Sequence, residues 1–301
     1  MAIANYIKEI GRGRDGARPL DLAKAADLMC QILDEQVSDL EIGAFCLAMR
    51  IKGETPEEMA GFLDAAYARL HLLQGPTDKW TVVLPSYNGA RRLPLMTPLL
   101  AQLIAREGLA VVVHGCATES TRVTSEQVFA AMGIKALRSP RSVAAGEAVF
   151  VPTEVLSPGL KRLLDVRRVV GLRNPAHSLV KLMNPVVGKT LLVSSYTHPE
   201  YALSMAATFE LTGERALLLR GTEGEAVADA RRCPPMEVFV EGQRRVLDEG
   251  QSGPLTRLPD WPSAIDPETT ARYNVAVLNG DIAVPESLTR QVQAVLQAIQ
   301  L

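Results

Sequence analysis

The chain has 301 residues, 47% hydrophobic and 22% charged, with 22 Gly and 19 Pro. That mixture excludes disordered, collagen-like and disulfide-stapled classes, and the length admits one large domain or two packed units. A formal net charge of −2, from 32 Lys and Arg against 34 Asp and Glu, gives by itself no sign of a nucleic-acid or membrane partner.

In chain order, the first quarter reads as helices. Leu22, Ala25, Ala26, Met29, Ile32 and Leu33 recur at the spacing of one buried helical face. Ser38 with Glu41 forms a capping box that opens a second helix. Thr55 with Glu58, helped by Pro56, opens a third that is expected to run to about Leu73 and end at Gly75-Pro76. From Trp80 short apolar runs alternate with helix-length stretches. The runs at 81–85, 109–115, 148–152, 191–195, 216–221 and 275–280 are rich in Val and Leu, as suits strands buried on both faces of a mostly parallel sheet. Helices are expected at 95–107, 123–132, 199–212 and 285–299. The fold class is therefore α/β: a small helical domain over 1–75, with a later helical segment around 160–190 packing on it, and a larger mostly parallel α/β domain over 76–301.

Cys30, Cys46, Cys116 and Cys233 lie far apart, with no CxxC pair and no His at ligand spacing, so free thiols and no metal site are expected. The N-terminal stretch reaches Lys8 and Glu9 before any long apolar run, and the most apolar stretch, 93–113, is interrupted by Pro94, Pro98, Arg106 and Glu107. We expect no signal peptide, no membrane span and a cytoplasmic location.

Charge clusters in one place. Residues 161–190 carry Lys161, Arg162, Arg167, Arg168, Arg173, Lys181 and Lys189 against Asp165 alone. Because screening confines a field to about 10 Å at physiological salt, this local excess matters more than the total and points at an anionic partner. Arg12, Arg14 and Arg18 form a second basic patch. Within the segment, Arg173 to Lys181 reads as a helix start, with Asn174 as cap, Pro175 in the first turn, and His177 and Lys181 on one face. That arrangement fits either a phosphate site or a solvated face with a capping Asn.

Two strand ends are further candidates, because turns at the carboxyl edge of a parallel sheet are where α/β proteins bind ligands. The first holds Ser86, Asn88 and Gly89, and the second holds His114, Gly115, Thr118, Ser120 and Arg122. With one glycine the first is a poor phosphate cradle, and the hydroxyls of the second are as often caps as ligands.

These three places, in this order behind a helical N-terminus, resemble the anthranilate phosphoribosyltransferase family and its nucleoside phosphorylase relatives. In those enzymes the first turn reads GTGGD, the next strand ends in KHGNRS, and a later acidic DE pair holds magnesium. Here His114-Gly115 keeps its place, but Pro85 to Gly89 replaces the glycine turn, Cys116 and Ala117 replace Asn and Arg, and Glu223 and Glu225 stand separated. The phrases at 6–18, 171–182, 195–201 and 216–225 are similar to the divergent YbiB-type branch of that family. This resemblance implies a homodimer with the enzyme's fold that binds DNA or RNA through backbone phosphates without marked sequence preference. It implies no catalytic residue and no cofactor. Arg167, Arg168, Arg173, Lys181, Lys189, Arg12, Arg14 and Arg18 are then the expected phosphate contacts, and Ser86, Asn88, Gly89, His114, Gly115, Thr118, Ser120, Arg122, Asn174 and His177 a vestigial ligand pocket. The alternative is a glycosyl- or phosphoribosyltransferase with an unidentified acceptor, and a small-molecule sensor is a third reading.

Overall fold

A computed structural model describes residues 3–13, 15–253, 261–262 and 264–301. The helical N-terminus comprises α1 (Ala4–Ile10), α2 (Leu22–Leu33), α3 (Asp39–Lys52) and α4 (Pro56–Tyr67). Asp21 caps α2, and the two expected capping boxes open α3 and α4. Each such cap stabilises its helix by roughly 1 kcal/mol. α4 stops at Tyr67 and not near Leu73, because tertiary partners claim the backbone beyond it. His71 donates to the Leu156 carbonyl at 2.8 Å, and β1 (Leu73–Gln74) pairs with a strand over Val186–Val187.

The α/β part follows as β2 (Thr81–Ser86), α5 (Thr97–Arg106), β3 (Ala110–Gly115), α6 (Ser125–Ala131), β4 (Ala148–Pro152), α7 (Thr153–Leu156), α8 (Pro158–Val170), α9 (Ala176–Leu182), β5 (Val186–Val187), β6 (Thr190–Tyr196), α10 (Pro199–Thr212), β7 (Ala216–Arg220), β8 (Met236–Val240), β9 (Gln243–Asp248), α11 (Pro267–Asn279) and α12 (Glu286–Ala298). The main sheet has the order β4-β3-β2-β6-β7-β8-β9, parallel from β4 through β7 and antiparallel beyond.

Strand periodicity divides the core. Val83, Val112, Val151, Leu192 and Leu218 point to one face, whose core is continuous with that of α1–α4, α8 and α9. Val82, Leu84, Val113, Val193 and Leu219 point to the other face, beneath α5, α11 and α12. Each such buried Val or Leu contributes roughly 1.5–3 kcal/mol relative to exposure. Gly115 is required where β3 passes β2, since a Cβ there would stand 1.9 Å from the Ser86 carbonyl oxygen.

The run at 275–280, expected as a strand, is the last part of α11. Asp266 caps this helix, Pro267 opens it and Gly280 closes it in the left-handed conformation, while Thr270, Ala271, Tyr273, Asn274 and Val277 form its buried face. The β8–β9 hairpin was not anticipated. Glu241 and Gly242, at φ of 50° and 76°, give it the left-handed turn that matches strand twist. Among the described residues no helix is long and apolar enough to cross a membrane.

Candidate functional site

Parallel strands β2, β3, β6 and β7 deliver their carboxyl ends to one edge of the sheet, the usual ligand edge of such folds. A cavity of about 410 Å³ opens there against the α3–α4 junction. Lys52, Arg173, Asn174, His177, Lys181 and Tyr201 are among its lining residues.

Beside it, three guanidiniums from different elements converge on one carboxylate. Arg122 from the β3–α6 loop, Arg167 from α8 and Arg173 beyond α8 approach Glu119 at 3.1, 2.7 and 3.5 Å. Partial burial pushes the Glu119 carboxyl up, but hydrogen bonds from Arg167 and Arg122 and the charges of both pull it down to about 2. One anion cannot neutralise three cations, and Nη1 of Arg167 is buried with no hydrogen-bond partner among the described residues. The cluster keeps an excess of positive charge at the sheet edge.

The rest of the basic segment is more dispersed than its sequence implies. Lys161 pairs with Asp165, and Arg162 reaches Glu35 and Asp39, each at 3.2 Å. Arg168 is exposed and lies 3.4 Å from Asp165. Lys181 is tied down, its ammonium donating to the Gly224 and Ser195 carbonyls at 2.7 and 3.2 Å. Desolvation, opposed by the charge of Glu225 and assisted by Arg173, brings it to about 8. Lys189 is exposed just before β6, while Lys181 meets the far end of that strand, about 20 Å away at 3.3 Å per residue. Lys189 therefore stands at the opposite end of β6 from the arginines, whereas Lys181 lies at their edge and lines the same cavity as Arg173. Arg12 and Arg18 are exposed in the α1–α2 connection, and Arg14 lies outside the described residues.

His177 lines the cavity but is no cation at neutral pH, because burial and the charges of Arg173 and Arg167 lower it to about 4. The N-cap of α9 is Pro175 and not Asn174; Asn174 stands one residue before it, its Oδ1 accepting from Ala176 N–H at 3.0 Å and its amide donating to the Leu163 carbonyl of α8 at 2.7 Å. Of the expected vestigial pocket, Ser86, Gly89, Thr118 and Arg122 line a crevice of about 10 Å³, too small for a ligand, whereas Asn88 lines both that crevice and, with Asn174 and His177, the cavity of about 410 Å³. His114 and Gly115 are buried strand residues, and Ser120 is an exposed loop residue. The His114 Nδ1 faces the Tyr87 hydroxyl at 2.9 Å, and burial lowers this histidine to about 3. It is a neutral core residue and not a pocket wall.

The turn after β2 is filled from within. Glu225 is buried, and its Oε1 accepts from the Asn88 and Gly89 amides at 2.8 and 2.7 Å. Its Oε2 accepts from the Ser86 and Thr97 hydroxyls. Glu223 does the same farther along: Arg91 donates its amide at 2.6 Å, and Arg92 and Leu93 add theirs. All four carboxylate oxygens thus face N–H or O–H donors. That donor set does not fit a magnesium ion, which requires oxygen lone pairs free to face it. Among the described residues no cluster of His, Cys, Asp and Glu is set to hold a metal.

Sequence reasoning passed over the arginines of the other strand ends. Arg91 and Arg92 follow β2, Arg220 ends β7, and Arg231 and Arg232 follow it; all are exposed. Arg231 pairs with Asp229 at 2.6 Å, whereas no ion pair forms at Arg91, Arg92, Arg220 or Arg232 among the described residues. The signal was two Arg-Arg doublets, one in the turn after the first predicted strand and one ten residues past the predicted run at 216–221.

The helical bundle domain of the glycosyl transferase family matches residues 4–69. The chain is 42% identical to the uncharacterized protein YbiB of Escherichia coli K12, across 99% of this chain and 94% of that protein. It is 29% identical to the anthranilate phosphoribosyltransferase of Methanopyrus kandleri, across 93% and 84%. In three dimensions it resembles the anthranilate phosphoribosyltransferase of Saccharomyces cerevisiae in complex with PRPP and Mg, with a TM-score of 0.73 at 15% identity over 99% of this chain and 88% of that one. The Thermus thermophilus enzyme gives 0.69 at 23% identity, over 95% and 85%.

Proposed function

As the chain belongs to the family of Escherichia coli YbiB, with a glycosyl transferase family helical bundle domain on an anthranilate phosphoribosyltransferase-like fold, we propose that it binds nucleic acid through backbone phosphates and performs no phosphoribosyl transfer. One observation carries the reading: arginines dominate the carboxyl edge of the sheet, from Arg122, Arg167 and Arg173 sharing one Glu119, past Arg91 and Arg92, to Arg220 and Arg232. The ends of β3 and β7 stand three strand spacings apart, about 14 Å, which matches about four phosphates of one duplex strand at 3.4 Å each. Contacts of this kind read charge and not sequence. The exposed apolar side chains Leu40, Leu47 and Ile51 along α3 support the further proposal that the chain acts as a homodimer, which would lengthen the track.

The anthranilate phosphoribosyltransferases among its relatives favour a second reading directly: a glycosyl- or phosphoribosyltransferase with an unidentified acceptor, working in the cavity at the α3–α4 junction. Against it stand the filled turn and carboxylates unsuited to magnesium. Two assays on one preparation separate the readings: mobility shift with two duplexes of unrelated sequence, and pyrophosphate release from phosphoribosyl pyrophosphate with magnesium. The first reading expects equal shifts and no release. Steady release that Arg173→Ala abolishes, with no mobility shift, would establish the second.

A further inference from the structure

We propose that Lys181 is a covalent capture site, its side-chain amine condensing with a small aldehyde that carries a negative group to form a Schiff base in the cavity at the α3–α4 junction. Lys181 lines that cavity from α9, together with Ser195 and Tyr201. Its nitrogen donates to the Gly224 and Ser195 carbonyls, at 2.7 and 3.2 Å, and to no other acceptor among the described residues. Two acceptors satisfy the two N–H groups of a neutral amine, whereas an ammonium has three to satisfy. The lone pair of the neutral form then takes the third position.

No counter-charge holds this nitrogen as a cation. Lys52 and Lys161 pair with carboxylates, whereas among the described residues no ion pair forms at Lys181. Glu225, whose charge reaches Lys181, already accepts from the Asn88 and Gly89 amides and the Ser86 and Thr97 hydroxyls. Burial and the charge of Arg173 outweigh it and bring the amine to about 8, so that about a quarter is unprotonated at pH 7.5. His177, one turn earlier on α9, is neutral at that pH. A desolvated lysine of this kind is the usual nucleophile of Schiff-base chemistry. Its lone pair adds to the aldehyde carbon and gives a carbinolamine. The C–O bond then breaks, the oxygen leaves as water with the two protons the amine carried, and C=N remains. The step needs no oxidant or reductant, and hydrolysis reverses it. Arg173 in the wall of the same cavity favours an aldehyde with a negative group. This chemistry is independent of nucleic-acid binding, because Lys181 lines the cavity while Arg91, Arg92, Arg220 and Arg232 are exposed outside it.

The probe is glyoxylate, a small anionic aldehyde, with cyanoborohydride to reduce any Schiff base to a stable carboxymethyl-lysine that peptide mass mapping locates. In the full wild-type chain at pH 7.5, Lys181 should be labelled about tenfold or more faster than the exposed Lys189, because an ordinary lysine is almost wholly protonated there. Its rate should climb with pH and level off above about 8. Propanal, a neutral aldehyde of similar size, should show a several-fold weaker preference for Lys181 over Lys189, and unfolding in urea should abolish the preference with either probe. Labelling of Lys181 no faster than Lys189, an equal preference with the neutral aldehyde, or a preference that survives in urea overturns the proposal.

Discussion

At the scale of single residues, polar side chains in this molecule act according to their surroundings more than their type. His114 sits in a strand whose six residues are all buried, so its imidazole is held neutral beside Tyr87. His114→Ala should therefore cost roughly 2–4 kcal/mol in urea unfolding through the lost contact and cavity, and leave nucleic-acid affinity unchanged. A loss of binding without a loss of stability would return His114 to the site. Glu119 is the opposite case. Its folded value of about 2 lies below the ordinary 4.5, so its contribution to stability is fully present above about pH 4.5 and disappears as pH falls toward 2. Glu119→Gln should flatten that part of the acid-unfolding curve. It should also tighten nucleic-acid binding, since Arg122, Arg167 and Arg173 then have no shared counter-charge; weaker binding by a folded variant contradicts the cluster's role. His114-Gly115 was legible in the sequence as a motif, but its burial was not, because a strand covered on both faces shows no alternation that would reveal where a side chain points.

Secondary-structure elements were read most securely where local chemistry and periodicity agreed. Both capping boxes, the start of α10 at Pro199 and the parallel strands from β2 to β7 follow from residues a few positions apart. The failures have nonlocal or competing causes. Ala-Val-Leu at 276–278 has strand composition, yet Asp266, Pro267 and Gly280 punctuate a helix around it, and the apolar spacing belongs to that helix. Asp266→Ala removes the hydrogen bond to the Thr269 amide at 2.8 Å and should lower stability by about 1 kcal/mol; no measurable change would mean the end of α11 is held by packing alone. The basic segment was legible as composition but not as a surface. A helix, a turn, a second helix and a short strand fold it onto two edges of the sheet, so seven cations close in sequence come to occupy five separate environments. Glu223 and Glu225 were visible as separated acids, while their hydrogen bonding across more than 130 positions was not.

For the molecule as a whole, a net charge of −2 conceals an edge where arginine predominates. Scaffold and site are separable: the two apolar faces of the sheet hold the fold, and exposed guanidiniums at its carboxyl ends contribute little to it. Arg91→Gln, Arg92→Gln, Arg168→Gln, Arg220→Gln and Arg232→Gln combined should therefore melt within a few degrees of wild type, as followed by circular dichroism. The measurement that bears most directly on the account is the salt dependence of duplex affinity for wild type and this fivefold variant. With about four phosphates contacted, log affinity should fall against log salt with a slope of about −3.6, roughly a hundredfold between 50 and 200 mM, and the variant, which keeps only the Arg122, Arg167 and Arg173 cluster of the track, should bind more weakly with a clearly shallower slope. Wild-type affinity that is flat with salt, or a folded variant that binds as tightly and as steeply as wild type, would contradict it.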